Sequence, residues 1–292
     1  MMTLRSLLFV PGDSEKKLAK STSTAADALI LDLEDSVAPA RTAIARSMVA
    51  EFLHAHPNRT QQQLWVRINP LQTEEALADL AVVMPSKPDG IMLPKPLNGR
   101  HAQQLDHYLS ALEAREGLTL GSTRIIPVAT EMPGALFDLQ SYAGASQRLQ
   151  GLTWGAEDLA TALGASTNRD ATGEFTFTYK LARSLCLLAS AHADIQAIDT
   201  LSVDFKDMQA LALDVQQARR EGFSGKLAIH PDQVDVINQG FTPSPQDISH
   251  AQRIVDAFAQ AQGAGAVQLD GKMVDKPHLT QALRLLDIAR KN

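Results

Sequence analysis

Glu131 and Asp158 each follow a short apolar run, at residues 124–129 and 151–154. Two acids so placed suit a hard divalent cation. Mg²⁺ prefers oxygen, keeps several waters, and takes one or two protein carboxylates, leaving positions for substrate oxygens. Mn²⁺ can stand in for it. An ion with open positions can take the carboxylate and neighbouring oxygen of a hydroxy or oxo acid and stabilise charge there. No His/Cys cluster argues for zinc. Arg67, near the end of the run 64–68, carries a planar fork able to grip a carboxylate or meet an enolate oxygen.

Other strand-end positions carry chemistry too: Asp32, Glu34 and Asp35, then Asn69, Lys95, Glu157, Asp199 and His230. Lys16, Lys17 and Lys20 follow Pro11-Gly12 and suit the phosphates of a nucleotide-bearing ligand. Singly, each has a plainer role. Asp35 and Asp158 read as helix caps, His230 as a turn residue and the lysines as a solvated face. Jointly, they read as one site.

The elements that must position these groups follow from periodicity. Strands are expected at 4–10, 28–33, 64–68, 90–93, 124–129, 151–154, 195–199 and 226–229, with amphipathic helices between nearly all of them. Repeated βα units imply a parallel sheet, and eight imply a (β/α)8 TIM barrel, whose strand C-termini share one mouth. Asp13 or Ser14 is placed to cap a first helix near Glu15, and Pro133 to open one after the fifth strand.

The rhythm breaks after His230. Residues 1–240 are expected to form the catalytic barrel and 241–292 a C-terminal helical and hairpin extension. Thr242-Pro243-Ser244-Pro245 is a rigid lead into a helix over 246–261, and Gly263-Ala264-Gly265-Ala266 a flexible joint. Residues 267–275 read as a hairpin turning at Asp270-Gly271, ahead of a last helix from about Pro277.

With 292 residues, 45% hydrophobic and 21% charged, the chain has material for a full core. Its net charge of −6 is mild and no basic run stands out, which argues against nucleic acid. Cys186 is the one cysteine and lies in an apolar run, where a buried inert thiol is expected. The N-terminal apolar stretch is too short for a signal segment and none approaches membrane-spanning length, so a cytoplasmic protein with no membrane partner is expected.

These residues sit in recognisable motifs: Arg5-Ser6-Leu7-Leu8-Phe9-Val10-Pro11-Gly12, Leu31-Asp32-Leu33-Glu34-Asp35-Ser36-Val37, Val66-Arg67-Ile68-Asn69 and Met92-Leu93-Pro94-Lys95. Ala129-Thr130-Glu131-Met132-Pro133-Gly134, Gly155-Ala156-Glu157-Asp158-Leu159, Ala228-Ile229-His230-Pro231 and Gly271-Lys272-Met273-Val274-Asp275-Lys276-Pro277 continue the series. In this order the chain resembles the citrate lyase β-subunit-like family of the HpcH/HpaI aldolase superfamily, which includes citramalyl-CoA and malyl-CoA lyases.

The resemblance implies a TIM barrel assembled as a homotrimer or dimer of trimers that makes or breaks a C–C bond in acyl-CoA thioesters. It assigns Glu131 and Asp158 to Mg²⁺, and Arg67 to substrate. It places Lys16 and Lys20 on CoA, and Ile229 and His230 beside the adenine. Asp275 matches an acid/base on a C-terminal lid that serves the neighbouring subunit; a helix N-cap is its plainer role. Phe9 stands where relatives carry Tyr. Asp32, Glu34, Asp35, Lys95 and Glu157 are supporting positions.

The expected reaction is retro-Claisen cleavage of a 3-hydroxy-carboxyacyl-CoA such as (S)-citramalyl-CoA to acetyl-CoA and pyruvate. Citryl thioester cleavage alongside citrate lyase α and γ subunits, or malyl-CoA cleavage, are its neighbours. A CoA-independent hydroxy-acid aldolase and a non-catalytic CoA-binding scaffold are the rivals from other classes.

Overall fold

The computed structural model describes residues 3–261 and 263–291. Leu4–Asn238 form one compact unit, and the residues from Gln239 onward, with Thr3, form a second.

The first unit contains β1 (Ser6–Pro11), β2 (Ala28–Asp32), β3 (Gln63–Arg67), β4 (Gly90–Leu93), β5 (Arg124–Pro127), β6 (Gly151–Thr153), β7 (Gln196–Asp199) and β8 (Gly225–Ala228). Each paired neighbour is parallel, in the order β5-β4-β3-β2-β1-β8-β7-β6. The seam between β5 and β6 is bridged at Ile125–Leu149 and Val128–Thr153. There the Ala129 N–H donates to the Thr153 carbonyl at 2.8 Å. The sheet thus curls into the expected barrel, with strand ends within two residues of those read from the sequence.

Inside it, Leu7, Ile30, Trp65, Met92, Ile126, Ile198 and Leu227 pack into one apolar core. Each such buried aliphatic side chain contributes roughly 1.5–3 kcal/mol. The Trp65 ring lies over Gly90, where a Cβ would overlap it, so β4 has to begin with glycine.

Helices alternate with the strands: α1 (Glu15–Ser21), α2 (Thr42–Ala55), α3 (Glu74–Val83), α4 (Gly99–Arg115), α5 (Ala156–Leu163), α6 (Phe177–His192), α7 (Met208–Glu221) and α8 (Pro231–Phe241). Two local expectations fail. After β5 there is no α-helix but two 3-10 turns, Pro133–Phe137 and Leu139–Tyr142. Pro133 begins the first of them, and the backbone reaches positive φ (+74°) at Gly144. At α1, Ser14 occupies the N-cap position but its hydroxyl caps nothing. Asp13 instead pairs with Arg41 at 2.9 Å. Cys186 is buried and free, and burial pushes its thiol up to about 12.

The second unit holds α9 (Pro245–Gln260), β9 (Ala266–Leu269), β10 (Lys272–Asp275) and α10 (Lys276–Lys291). Ser244 and Asp247 close a capping box at the start of α9. β9 and β10 pair antiparallel. Their turn is Asp270-Gly271, both at positive φ (51° and 76°), as a tight hairpin requires. Ile254 and Ala251 of α9, Val274 of β10, and Ala282 and Leu286 of α10 form its own small core. No described helix is long and apolar enough to cross a membrane.

Candidate active site at the barrel mouth

Because the eight barrel strands are parallel, their last residues gather at one end of the barrel. Asp32 ends β2 and Arg67 ends β3, and these two are register partners in adjacent strands. Arg67 Nε and Nη2 donate to Asp32 Oδ1 and Oδ2 at 2.6 and 2.7 Å, a two-pronged pair. Asp32 is further fixed by the backbone N–H groups of Glu34 (3.1 Å) and Ser36 (3.2 Å). Burial works against the Asp32 charge, but Arg67 outweighs it and holds the carboxyl below its ordinary range. Beneath the guanidinium lies the Phe9 ring, 4.8 Å from Arg67 Cζ to the ring centre. That contact is favourable for a cation over an aromatic face and needs no hydroxyl.

Glu34 continues the network. It stands 2.9 Å from Arg67 Nη1 and 2.5 Å from Lys95 Nζ. Burial nevertheless pushes its carboxyl up to about 7, with Arg67 and Lys95 pulling the other way. Lys95 lies just past β4, between two prolines, at φ +49°. Its ammonium also reaches Asp35 at 3.1 Å and Asp158 at 3.3 Å, and these acids keep it charged despite partial burial.

Glu131 sits past β5 and is 2% exposed. Its Oε2 accepts the Lys95 backbone N–H at 2.5 Å. Burial, then the neighbouring charges of Asp158 and Glu34, hold this carboxyl well above its ordinary range. Gly155 allows the close packing, since a Cβ there would lie 2.6 Å from Glu131 Cγ. Asp158 is the third residue of α5, whose N-cap is Gly155. The plain reading of Asp158 as a cap therefore does not hold. Asp35 likewise caps no helix and pairs with Lys95.

Five carboxylates (Asp32, Glu34, Asp35, Glu131 and Asp158) thus share two cations, Arg67 and Lys95. Such a cluster is short of positive charge, and Glu131 shows the deficit most. Among the described residues, no group of three or more His, Cys, Asp or Glu side chains is arranged as a metal cage. The donor set fits a hard ion taking two carboxylates and leaving its other positions to water and ligand oxygens.

Several sequence candidates lie outside this network. Glu157 accepts from Asn168 Nδ2 at 2.8 Å. Asp199 is buried with Trp154 and Arg183, a structural role. Lys16, Lys17 and Lys20 are exposed on α1. The Ile229 N–H donates to Gln233 Oε1 at 2.9 Å. His230 stacks on Phe205, centroids 5.0 Å apart, in a partly exposed flat pair that the sequence reading missed. In the second unit Asp275 directly precedes α10, and its carboxylate is hydrogen-bonded to His278 Nδ1. That bond holds Asp275 below the usual carboxylate range. His278 was also missed, although its position three residues into a helix start is the spacing of a capping partner.

Known proteins resemble this chain over nearly its whole length. A model of the HpcH/HpaI aldolase/citrate lyase family matches residues 5–231. Citrate lyase subunit beta of Haemophilus influenzae is 35% identical over 99% of this chain and 98% of its own length. A (3S)-malyl-CoA thioesterase of Cereibacter sphaeroides is 33% identical over 97% and 93%. The mitochondrial citramalyl-CoA lyase of Rattus norvegicus is 31% identical over 98% and 86%. The crystal structure of CitE from Mycobacterium tuberculosis with magnesium, acetoacetate and coenzyme A superposes with a TM-score of 0.80 at 29% identity, covering 99% of this chain and 98% of that one. The chain belongs to the HpcH/HpaI aldolase/citrate lyase family and is a carbon–carbon lyase.

Proposed function

We propose that this chain is a Mg²⁺-dependent acyl-CoA lyase that cleaves a 3-hydroxy-carboxyacyl-CoA by a retro-Claisen reaction, with (S)-citramalyl-CoA as the preferred substrate. The observation that carries the reading is Glu131, a buried carboxylate beside Asp158 in a cluster short of positive charge. Those two residues would hold the ion. Bound there, Mg²⁺ supplies a Lewis acid for the carboxylate and hydroxyl oxygens of the substrate.

The chain's own residues do the rest. Arg67, held flat by Asp32 and Phe9, keeps N–H donors beyond those committed to Asp32 and Glu34. These face the thioester oxygen as it gains charge, at no reorganisation cost. Asp275, delivered by the hairpin of a neighbouring subunit, takes the hydroxyl proton. The bond between the carbinol carbon and the thioester α-carbon then breaks, giving pyruvate and the acetyl-CoA enolate. Protonation of that enolate by the same Asp275 releases acetyl-CoA. Closing the hairpin excludes water, which strengthens every charge interaction in the site. Lys16 and Lys20 meet the CoA phosphates, and the His230–Phe205 stack lies with Ile229 beside the adenine.

The test is turnover of citramalyl-CoA, malyl-CoA and citryl-CoA by the purified protein, with and without EDTA. Acetyl-CoA plus an oxo acid is expected, and EDTA should abolish it. Full activity after complete metal removal overturns the metal assignment. Free CoA plus the intact hydroxy acid would mark a thioesterase, the activity named for the Cereibacter relative.

A second reading has its own support. The Haemophilus relative of nearly equal length is a citrate lyase subunit, which favours a citryl thioester and partner α and γ subunits. Preference for citryl over citramalyl thioesters would decide for it. Turnover that needs no CoA would instead favour a hydroxy-acid aldolase, and CoA binding without turnover a scaffold.

A further inference from the structure

Lys95 touches both acids assigned above to the cation, by two different parts of one residue. Its backbone N–H donates to Glu131 Oε2 at 2.5 Å, and its ammonium stands 3.3 Å from Asp158 Oδ1. The backbone here is restricted by its neighbours. Pro94 and Pro96 flank it, each with its own φ fixed, and Lys95 itself is held at φ +49°. The four-carbon side chain, by contrast, rotates freely about its bonds.

The ammonium contacts are unequal. Glu34 Oε1 is closest at 2.5 Å, the two Asp35 oxygens follow at 3.2 and 3.1 Å, and Asp158 is the farthest. An ammonium has three N–H donors. It can give up Asp158 and stay fully charged on Glu34 and Asp35.

We propose that Lys95 is a built-in competitor for the divalent cation: its ammonium occupies Asp158 and must withdraw onto Glu34 and Asp35 when the ion binds. This inference rests on the assignment of Glu131 and Asp158 as the cation's ligands, and deepens it. The lysine neutralises acids that would otherwise repel one another across the barrel mouth. It also sets how tightly the ion is held, because the ion then shares the carboxylate cluster with Lys95 as well as Arg67. The Lys95 N–H keeps Glu131 aimed throughout, since backbone and side chain act independently.

The experiment is calorimetric titration of Mg²⁺ into the EDTA-treated full-length protein, comparing wild type with Lys95→Met and Lys95→Gly. Methionine keeps the apolar stem. Glycine suits the left-handed backbone and preserves the N–H to Glu131. Both variants should bind Mg²⁺ about tenfold more tightly than wild type, since a nearby positive charge has been removed. Each should also gain more in melting temperature on adding Mg²⁺. A lysine with a purely structural role would give the opposite sign, weaker binding in a loosened site.

Equal or weaker Mg²⁺ binding in both variants, with wild type binding normally, overturns the role of Lys95 and leaves the metal assignment standing. Wild type that binds no Mg²⁺ overturns both. Failure of both variants to melt cooperatively even in Mg²⁺ also overturns the proposal, because the ammonium would then be a fixed part of the fold.

Discussion

Gly155 and Glu131 are packed so closely that a Cβ on Gly155 would lie 2.6 Å from Glu131 Cγ and 3.3 Å from its Oε1. Gly155 has φ −115°, so alanine suffers no left-handed backbone penalty there and the sharpest conflict falls on Glu131, with Val128 Cγ1 also tight at 3.3 Å. Gly155→Ala should cost about 1–3 kcal/mol of stability, the range for overpacking a tight site. It should weaken Mg²⁺ binding by more than a general loosening would, because Glu131 must move. Calorimetric titration and chemical denaturation check the two effects separately. Wild-type Mg²⁺ affinity in Gly155→Ala would mean that Glu131 is not a ligand.

Glu34 predicts a pH dependence of stability. Burial raises its carboxyl in the folded protein to about 7, above the ordinary value of 4.5. Folded protein therefore holds this proton more tightly than unfolded protein does. The stabilisation is fully present below pH 4.5 and is lost as pH rises through about 7. The loss is on the order of 3 kcal/mol. Urea denaturation in EDTA between pH 4.5 and 8 should show wild type losing stability across that window and Glu34→Gln losing less. Identical slopes would remove Glu34 as the cause.

Much of this site was legible because a parallel barrel turns position in sequence into position in space. Asp32, Arg67, Lys95, Glu131 and Asp158 each follow an apolar run, and once those runs are barrel strands their ends must meet. What the runs do not encode is direction. Asp199 and Asp32 both end strands, yet Asp199 turns to Arg183 and Trp154 while Asp32 faces Arg67. Side-chain alternation along a strand decides this, and strands of three to six residues, apolar on both faces, give little to read it from. The helix expected after β5 did not form: Pro133 is a start signal, yet what it opens is a 3-10 turn. The His230–Phe205 stack joins loops 25 residues apart in sequence, a contact no local pattern announces.

Arg67 is held by Asp32 through both prongs of its fork, which a lysine ammonium does not reproduce. Arg67→Lys keeps one positive charge beside Asp32, so the barrel should remain folded. Turnover should nevertheless fall by about 10²–10³-fold, the scale for losing one preorganised donor to a developing oxyanion. If kcat is retained and only KM rises, Arg67 binds the ground state and does not stabilise the enolate. Asp32→Asn should lose part of the same activity by freeing the fork to rotate, with smaller loss than Arg67→Lys.

Asp275 tests the subunit arrangement. It directly precedes α10, and His278 holds its carboxyl below the ordinary range by a hydrogen bond. A base so held stays ionised to lower pH, so His278→Ala should let the carboxyl rise and shift the acid limb of the pH–rate profile upward. Asp275→Ala should lose about 10²–10⁴-fold in kcat while still binding the acyl-CoA, as expected when an acid/base is removed from an intact site. If the hairpin serves a neighbouring subunit, Glu131→Ala and Asp275→Ala protomers are complementary. Each is inactive alone, but a mixed oligomer can unite an intact metal site from one chain with an intact Asp275 from the other. Co-refolding the two variants should therefore restore a substantial fraction of wild-type turnover. Continued inactivity of verified mixed oligomers, set beside loss of activity in each variant, would place Asp275 in its own subunit's site.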